Sequence, residues 1–246
     1  MKEYAMLGDD RTYQDIILRN WNTLVKESGS QRKDPAPTKW LGLIRAAYSE
    51  PQRYYHTQRH LAEVLELFEI NRRYVKDEAA VLAAIFFHDI VYRTEAGLAP
   101  AHNEKKSAQI AGMALDEMGF SQAFTRRVQE MIAATATHEA DVSKDVDTAL
   151  FLDMDMAILG AKPDRYREYS KQVRWEYVVY DDATFAQGRL QLFVLPTLEK
   201  GVFLTPVFKD RYEAQALVNI QNERQELQRV LANVRPSVVH GKPPRP

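Results

Sequence analysis

Apolar positions recur at spacings of three, four and seven along almost the whole chain, the pattern of amphipathic helices. Ile16, Ile17, Trp21, Leu24 and Val25 form one stripe and predict a helix over 11–27. The polar stretch 28–37, SGSQRKDPAP, carries two prolines and breaks the periodicity, so it reads as a loop. Trp40, Leu41, Ile44 and Ala47 predict a second helix over 38–48. After a connector at 49–56, Thr57 stands where a side chain caps a helix running to about residue 74, with Leu61, Val64, Leu65 and Phe68 inward.

The segment 77–92, DEAAVLAAIFFHDIVY, starts with two acids and is apolar on every side in its middle. A helix of that kind belongs at the centre of a fold. A loop over 93–101 contains Gly97 and Pro100, and further helices fit 103–118, 122–138, 145–159, 163–179, 182–200 and 210–233. No Asn-Gly or Asp-Gly hairpin signal occurs, and neither an internal repeat nor a linker divides the chain. The expected fold class is all-α, with one domain over 1–235. The tail 236–246 has three prolines in its last four residues and is expected to be disordered.

Composition narrows the function. Apolar residues make up 45% and charged residues 27% of the 246, enough for a sizeable core. Lys and Arg number 33 against 34 Asp and Glu, so no net field favours a polyanion, and extended nucleic-acid binding is not expected. The absence of cysteine removes disulfides, zinc-thiolate sites and cysteine nucleophiles together. Any metal must be held by His, Asp, Glu or carbonyl oxygens. The N-terminus lacks the apolar core of a signal peptide, and no apolar run approaches the roughly 20 residues a bilayer requires, so a cytoplasmic protein without a membrane partner is expected. Neither a phosphate-binding glycine loop nor H-E-x-x-H occurs.

The chemistry concentrates in the histidines. Five of six lie between His56 and His138, and Asp155 follows soon after. His88-Asp89 ends the most apolar helix of the chain, with Val81, Ala84 and Ile85 on the face of His88. As a bare dipeptide it reads equally as a satisfied core histidine beside a capping aspartate. Its apolar setting demands partners or a cation. His60 shares a stripe with Val64, Leu67 and Phe68 and points inward. Asp155 is centred on Phe151, Leu152, Ile158 and Leu159, whereas the competing Asp153 faces a smaller apolar surface, so Asp155 is preferred. Two imidazoles and two carboxylates suit Mn, Mg, Fe, Co, Ni or Zn.

The arrangement H…HD…D in a helical chain resembles the HD superfamily of metal-dependent phosphohydrolases. The segments YHTQRHLAEVLEL, AAIFFHDIVY, NEKKSA and FLDMDMAILG are similar to a bacterial branch of predicted HD phosphohydrolases, and VRWEYVVY and the 210–227 helix also fit it. The resemblance spans roughly residues 20–230. It implies an HD-domain-like helical bundle with one divalent metal held by His60, His88, Asp89 and Asp155. It further implies metal-activated water acting on a nucleotide or other small phosphoester, with Asp89 or Glu104 managing the proton. Glu104 serves equally well as a stabilising acid in a helix first turn. Binuclear members carry two more histidines between the doublet and the last Asp, an interval that here holds His102 and His138. His56, His102 and His138 are therefore the positions for a second metal or for substrate, with His56 a neighbour of the ligands. Arg53, Arg59, Arg174 and Arg189 are the cations considered for substrate phosphate, with Arg59 and Arg174 taken for substrate binding, although Arg174 also suits a pair with Glu176 or another core acid. A homodimer is allowed. Two other readings stay open: an HD-fold di-iron oxygenase and a non-catalytic ligand-binding helical domain.

Overall fold

The computed structural model describes residues 10–28, 35–99 and 101–233, and every regular element among them is helical. The helices are α1 (Asp10–Lys26), α2 (Ala36–Ala47), α3 (Gln58–Asn71), α4 (Glu78–Phe87), α5 (His102–Glu117), α6 (Gln122–Ala134), α7 (Val146–Asp155), α8 (Pro163–Glu176), α9 (Asp182–Arg189), α10 (Leu195–Lys200), α11 (Pro206–Phe208) and α12 (Ala214–Asn233). The domain limit at 235 and the tail 236–246 lie outside the described residues.

The most apolar segment forms the hub. Every residue from Ala80 to Phe87 in α4 is fully buried, and α1, α3, α5, α6 and α7 pack around it. This follows from composition: a helix with no polar face has no face to give to water. Asp77 caps α4 by accepting from the Ala80 amide at 3.0 Å. Asp147 of α7 accepts from the Lys76 and Asp77 amides at 2.8 and 2.9 Å, tying the entry of α4 to α7.

Helix α4 ends at Phe87, short of the expected residue 92. The buried Arg53 accounts for the stop, donating to the carbonyls of Asp89 (2.6 Å) and Ile90 (3.2 Å). A cation satisfying free carbonyls at a helix C-terminus stabilises the end against continuation. His88 and Asp89 consequently leave the helix at its mouth. Thr57 does precede α3, but its side chain makes no capping bond.

Other ends also differ from the expected ones. Helix α6 stops at Ala134 and the chain turns until His138, whose φ of 50° is left-handed. Helix α7 passes at Asp155 into a 3-10 turn over Met156–Gly160. The expected helix over 182–200 is α9 and α10 joined by a π-turn at Leu190–Val194. The last helix starts earlier than expected, at Pro206, through α11 and a second π-turn at Lys209–Glu213.

Helices α8, α9 and α12 with these turns form a second layer beside the 3-10 turn. The layers meet closely at Gly160, where an added Cβ would lie 2.6 Å from Tyr212 Cβ and 2.9 Å from the Tyr212 carbonyl oxygen. Backbone cannot swing aside as a flexible side chain can. Gly160→Ala is therefore expected to destabilise the fold by about 1–3 kcal/mol, the range for an overpacked interior, lowering the melting temperature measured by circular dichroism. An unchanged melting temperature would show that this contact is not tight.

Candidate metal centre

Three stretches distant in sequence meet where α4 ends. His60 comes from the first turn of α3, His88 and Asp89 from the mouth of α4, and Asp155 from the last residue of α7. The two Nε2 atoms are 3.2 Å apart. Asp155 Oδ1 lies 3.3 Å from His60 Nε2 and 3.4 Å from His88 Nε2. Asp89 Oδ2 adds contacts of 3.2 Å to His88 Nε2 and 3.7 Å to His60 Nε2. His60, His88 and Asp155 offer ligand atoms all within 4.8 Å of one another.

These separations fit a shared cation. Adjacent ligands of an octahedral ion at about 2.1 Å lie about 3.0 Å apart, close to the distances found. The tautomer fits as well. His88 Nδ1 lies 2.8 Å from the Ile85 carbonyl oxygen, which can only accept, so Nδ1 carries a proton. Nε2 is then left facing acceptor atoms, with its ring oriented as metal-ligating imidazoles are. Neighbouring lone pairs repel unless a proton or a metal ion lies between them.

The charges lean the same way. Burial opposes the imidazolium of His88, but Tyr48 and the carboxylates of Asp89 and Asp155 outweigh it and hold the ring well above its ordinary value. Burial likewise opposes ionisation of Asp155, yet His88, His138 and His60 hold its carboxyl well below the usual range. Asp89 is lowered too, against burial, chiefly by His88 and His56. The site thus collects two carboxylates with ring nitrogens, the donor set for a hard or borderline divalent ion.

Asp153 goes elsewhere. It is more deeply buried than Asp155, but its oxygens accept from the Leu204 amide (2.7 Å), the Thr205 amide (2.8 Å) and the Thr205 hydroxyl (2.5 Å). Burial pushes its pKa up to about 6. It closes the loop before α11. Apolar neighbours alone ranked the two aspartates by environment without revealing this partner.

A cavity of 510 Å³ opens in front of the centre, and Asp89, Asp155, His56, Glu104 and His138 all line it. His138 Nε2 is 3.5 Å from Asp155 Oδ2. His102, Arg59 and Arg174 are not among the lining residues. Arg59 pairs with Glu63 and Glu168, each at 3.0 Å. Arg174 pairs with Asp182 at 2.7 Å and donates to the Tyr177 and Tyr180 carbonyls at 3.0 Å, so it braces the α8–α9 turn. The acid it takes is Asp182, because Glu176 is engaged from another side.

That engagement is the feature sequence reasoning missed. Glu176, buried at the end of α8, accepts from the amides of Tyr54, Tyr55 and His56 at 2.8, 2.7 and 2.9 Å with one oxygen. Its other oxygen lies 2.7 Å from His56 Nδ1. The ring stacks on Tyr92 at 4.0 Å and points Nε2 toward Asp89 Oδ2, 4.0 Å away. Burial works against a proton on His56, but Glu176 and then Asp89 prevail and raise its pKa. A carboxylate–imidazole pair aimed at a metal centre is equipped to transfer protons. No local sequence signal links residues 56 and 176.

Together the elements define an all-helical domain with a clustered His/Asp centre at the floor of a pocket. No family model and no curated protein sequence matches the chain. Among solved structures, the chain is similar to the phosphodiesterase domain of the RhoPDE fusion protein from the choanoflagellate Salpingoeca rosetta, with a TM-score of 0.58 at 14% identity over 93% of each chain. At that identity the likeness establishes a shared fold. No helix among the described residues is long and apolar enough to cross a membrane.

Proposed function

We propose that the chain is a metal-dependent phosphohydrolase of the HD type acting on a small phosphoester. The observation that carries this reading is the convergence of His60, His88, Asp89 and Asp155 at separations of 3.2–3.7 Å, in a pocket wide enough for a substrate. The shared fold with a phosphodiesterase domain supports it by analogy. These four residues would hold the metal. When bound, a divalent cation at such a site polarises a phosphoryl oxygen and lowers the pKa of a water.

The remaining work falls to the chain's own groups. His56, whose proton the Glu176 carboxylate favours, is placed to deliver it to the leaving oxygen. Glu104 and Asp89, both on the pocket wall, are placed to take the proton of the attacking water. Tyr55, Tyr92 and Tyr169 wall the pocket around these groups. The oxygenase alternative calls on His102 and His138, of which only His138 lines the pocket. With His102 off the pocket wall, the di-iron reading is weaker than hydrolysis.

The direct test is metal titration followed by a phosphoester screen. Saturating Mn, at about 100 times the dissociation constant, stabilises a protein by about 2.7 kcal/mol and should raise this melting temperature by roughly 5–10 °C. Elemental analysis should find the ion, and the loaded protein should release phosphate or cleave diesters. A melting temperature indifferent to Mn, Fe, Co, Ni, Zn and Mg would sink the metal site.

A further inference from the structure

The pocket has a second polar feature, on the wall formed by α9, and it bears on the substrate. Arg189 ends α9 with its side chain only 11% exposed. Its Nε donates to Glu223 Oε1 at 3.1 Å, and one terminal nitrogen, Nη2, donates to the Tyr169 hydroxyl at 3.0 Å and reaches Glu223 Oε2 at 3.5 Å. The other terminal nitrogen, Nη1, makes no hydrogen bond to any described residue and is not sealed from solvent, on a side chain that lines the cavity. Glu223 is itself buried in α12. A buried carboxylate therefore grips one edge of the guanidinium and leaves the other edge to the cavity. Arg174, by contrast, uses Nε and both terminal nitrogens within the fold.

Rings connect this group to the metal centre. Arg189 lies 5.6 Å from the ring centre of Tyr169, Tyr169 is 4.6 Å from Tyr55, and Tyr55 is 4.9 Å from His60. A rigid aromatic wall thus spans the distance between the phosphoryl site and Nη1. Met156, Val173, Phe185, Leu192 and Phe193 give the chamber an apolar side. The π-turn that follows Arg189 presents Leu192 at the rim, 84% exposed. Single π-turns inside helices frequently serve sites of function. A leucine left in water beside an apolar cavity gains from a ligand that covers it.

Charge then narrows the ligand. Arg189 is the only Arg or Lys on the wall among the described residues, and Glu223 already offsets it, while Glu104, Asp89 and Asp155 are acidic. A second or third phosphate would meet no arginine or lysine free of a carboxylate partner on this wall. A neutral acceptor oxygen on an apolar body meets an open donor instead.

We propose that the pocket selects esters bearing one phosphoryl group on a planar, largely apolar body with a carbonyl oxygen, and that Arg189 reads that oxygen. This rests on the phosphohydrolase reading for the placement of the phosphoryl group. Arg189 is a specificity-determining residue, and polyphosphates are excluded.

Non-hydrolysable probes separate recognition from chemistry. Calorimetry on Mn-loaded protein compares coumarinylmethylphosphonate, which has the carbonyl, with the similarly sized naphthylmethylphosphonate, which lacks it. The coumarin compound is expected to bind about tenfold tighter, the value of one hydrogen bond from a charged donor. Arg189→Lys keeps a cation against Glu223 and should erase that difference. A non-hydrolysable nucleoside triphosphate analogue should bind weakest of the three. Equal affinity for the two bicyclic compounds in the wild type, or tightest binding of the triphosphate analogue, overturns the assignment. Should Arg189→Lys fail to fold, Leu192→Glu at the exposed rim is expected to weaken both aryl compounds about tenfold. Unchanged affinities in that variant also overturn it. Hydrolysis of the matching esters is assayed in parallel. Binding in the expected order without turnover supports the pocket assignment and refutes the hydrolase. Turnover without preference refutes the pocket assignment and leaves the hydrolase intact.

Discussion

Asp155→Ala is expected to remove metal binding and to lower phosphoester hydrolysis by about three orders of magnitude, since a bound metal supplies several kcal/mol of transition-state stabilisation. Asp155 is the hub of the cluster, within 3.5 Å of His60, His88 and His138. Asp153 cannot take over, because it is bound to the loop at Leu204 and Thr205. Asp89→Asn should have the same effect on metal content with a smaller change in shape. In the metal-free protein His88 and His56 hold Asp89 ionised against burial, so its removal leaves their charges less compensated. Calorimetry should show a melting temperature below the wild type without metal, and no gain on adding Mn. Full metal content in either variant would contradict the ligand set.

The same groups give the metal effect a pH dependence. His88 is raised, so its charge contributes stability that is complete below an ordinary imidazole value of about 6.5 and is lost as pH climbs through the folded value. Asp89 and Asp155 are lowered, so their contribution is present above about 3.9 and is lost as pH falls through their folded values. Metal requires the neutral imidazole and displaces the proton of His88. The melting-temperature gain from Mn should therefore grow with rising pH through and above neutrality. A gain that shrinks over that range would mean that protons do not compete with the ion for His88.

His56→Ala should leave metal binding intact and reduce turnover by about 10²–10⁴-fold, the usual loss of a positioned general acid. The loss should be large for alkyl esters, whose leaving oxygen needs a proton, and small for nitrophenyl esters, which leave unaided. Glu176→Gln should retain acceptance of the Tyr54, Tyr55 and His56 amides and discard the charge that raises His56. The acid form of His56 then persists over a narrower range, so the alkaline limb of the pH–rate profile should move to lower pH. A purely structural Glu176 would change stability and leave the profile in place. Equal losses for alkyl and nitrophenyl esters in His56→Ala would exclude the proton-donor role.

The groups in these tests were unequally visible in the chain. His60 and His88 stand on apolar stripes, where local periodicity sets the inward direction of a side chain. Those two were legible for that reason, and the centrality of α4 follows from its composition. Glu104 and His138 were nameable as titratable groups, but their place on the pocket wall depends on where α5 begins and α6 ends. His138 reaches Asp155 because the helix expected to end on it stops at Ala134 and the backbone turns left-handed. Local propensity does not encode that stop.

By itself, then, the chain determined its helical class, its apolar hub and the inward-facing histidines, because each depends on contacts within a few residues. Only the tertiary structure gave Asp153 its partners at Leu204 and Thr205, paired His56 with Glu176, consumed Arg59 and Arg174 in ion pairs and left one edge of Arg189 open. Those outcomes depend on which groups from remote segments come within hydrogen-bonding reach. Hydrogen bonds and ion pairs act over a few ångströms of space, whatever the number of residues between their partners.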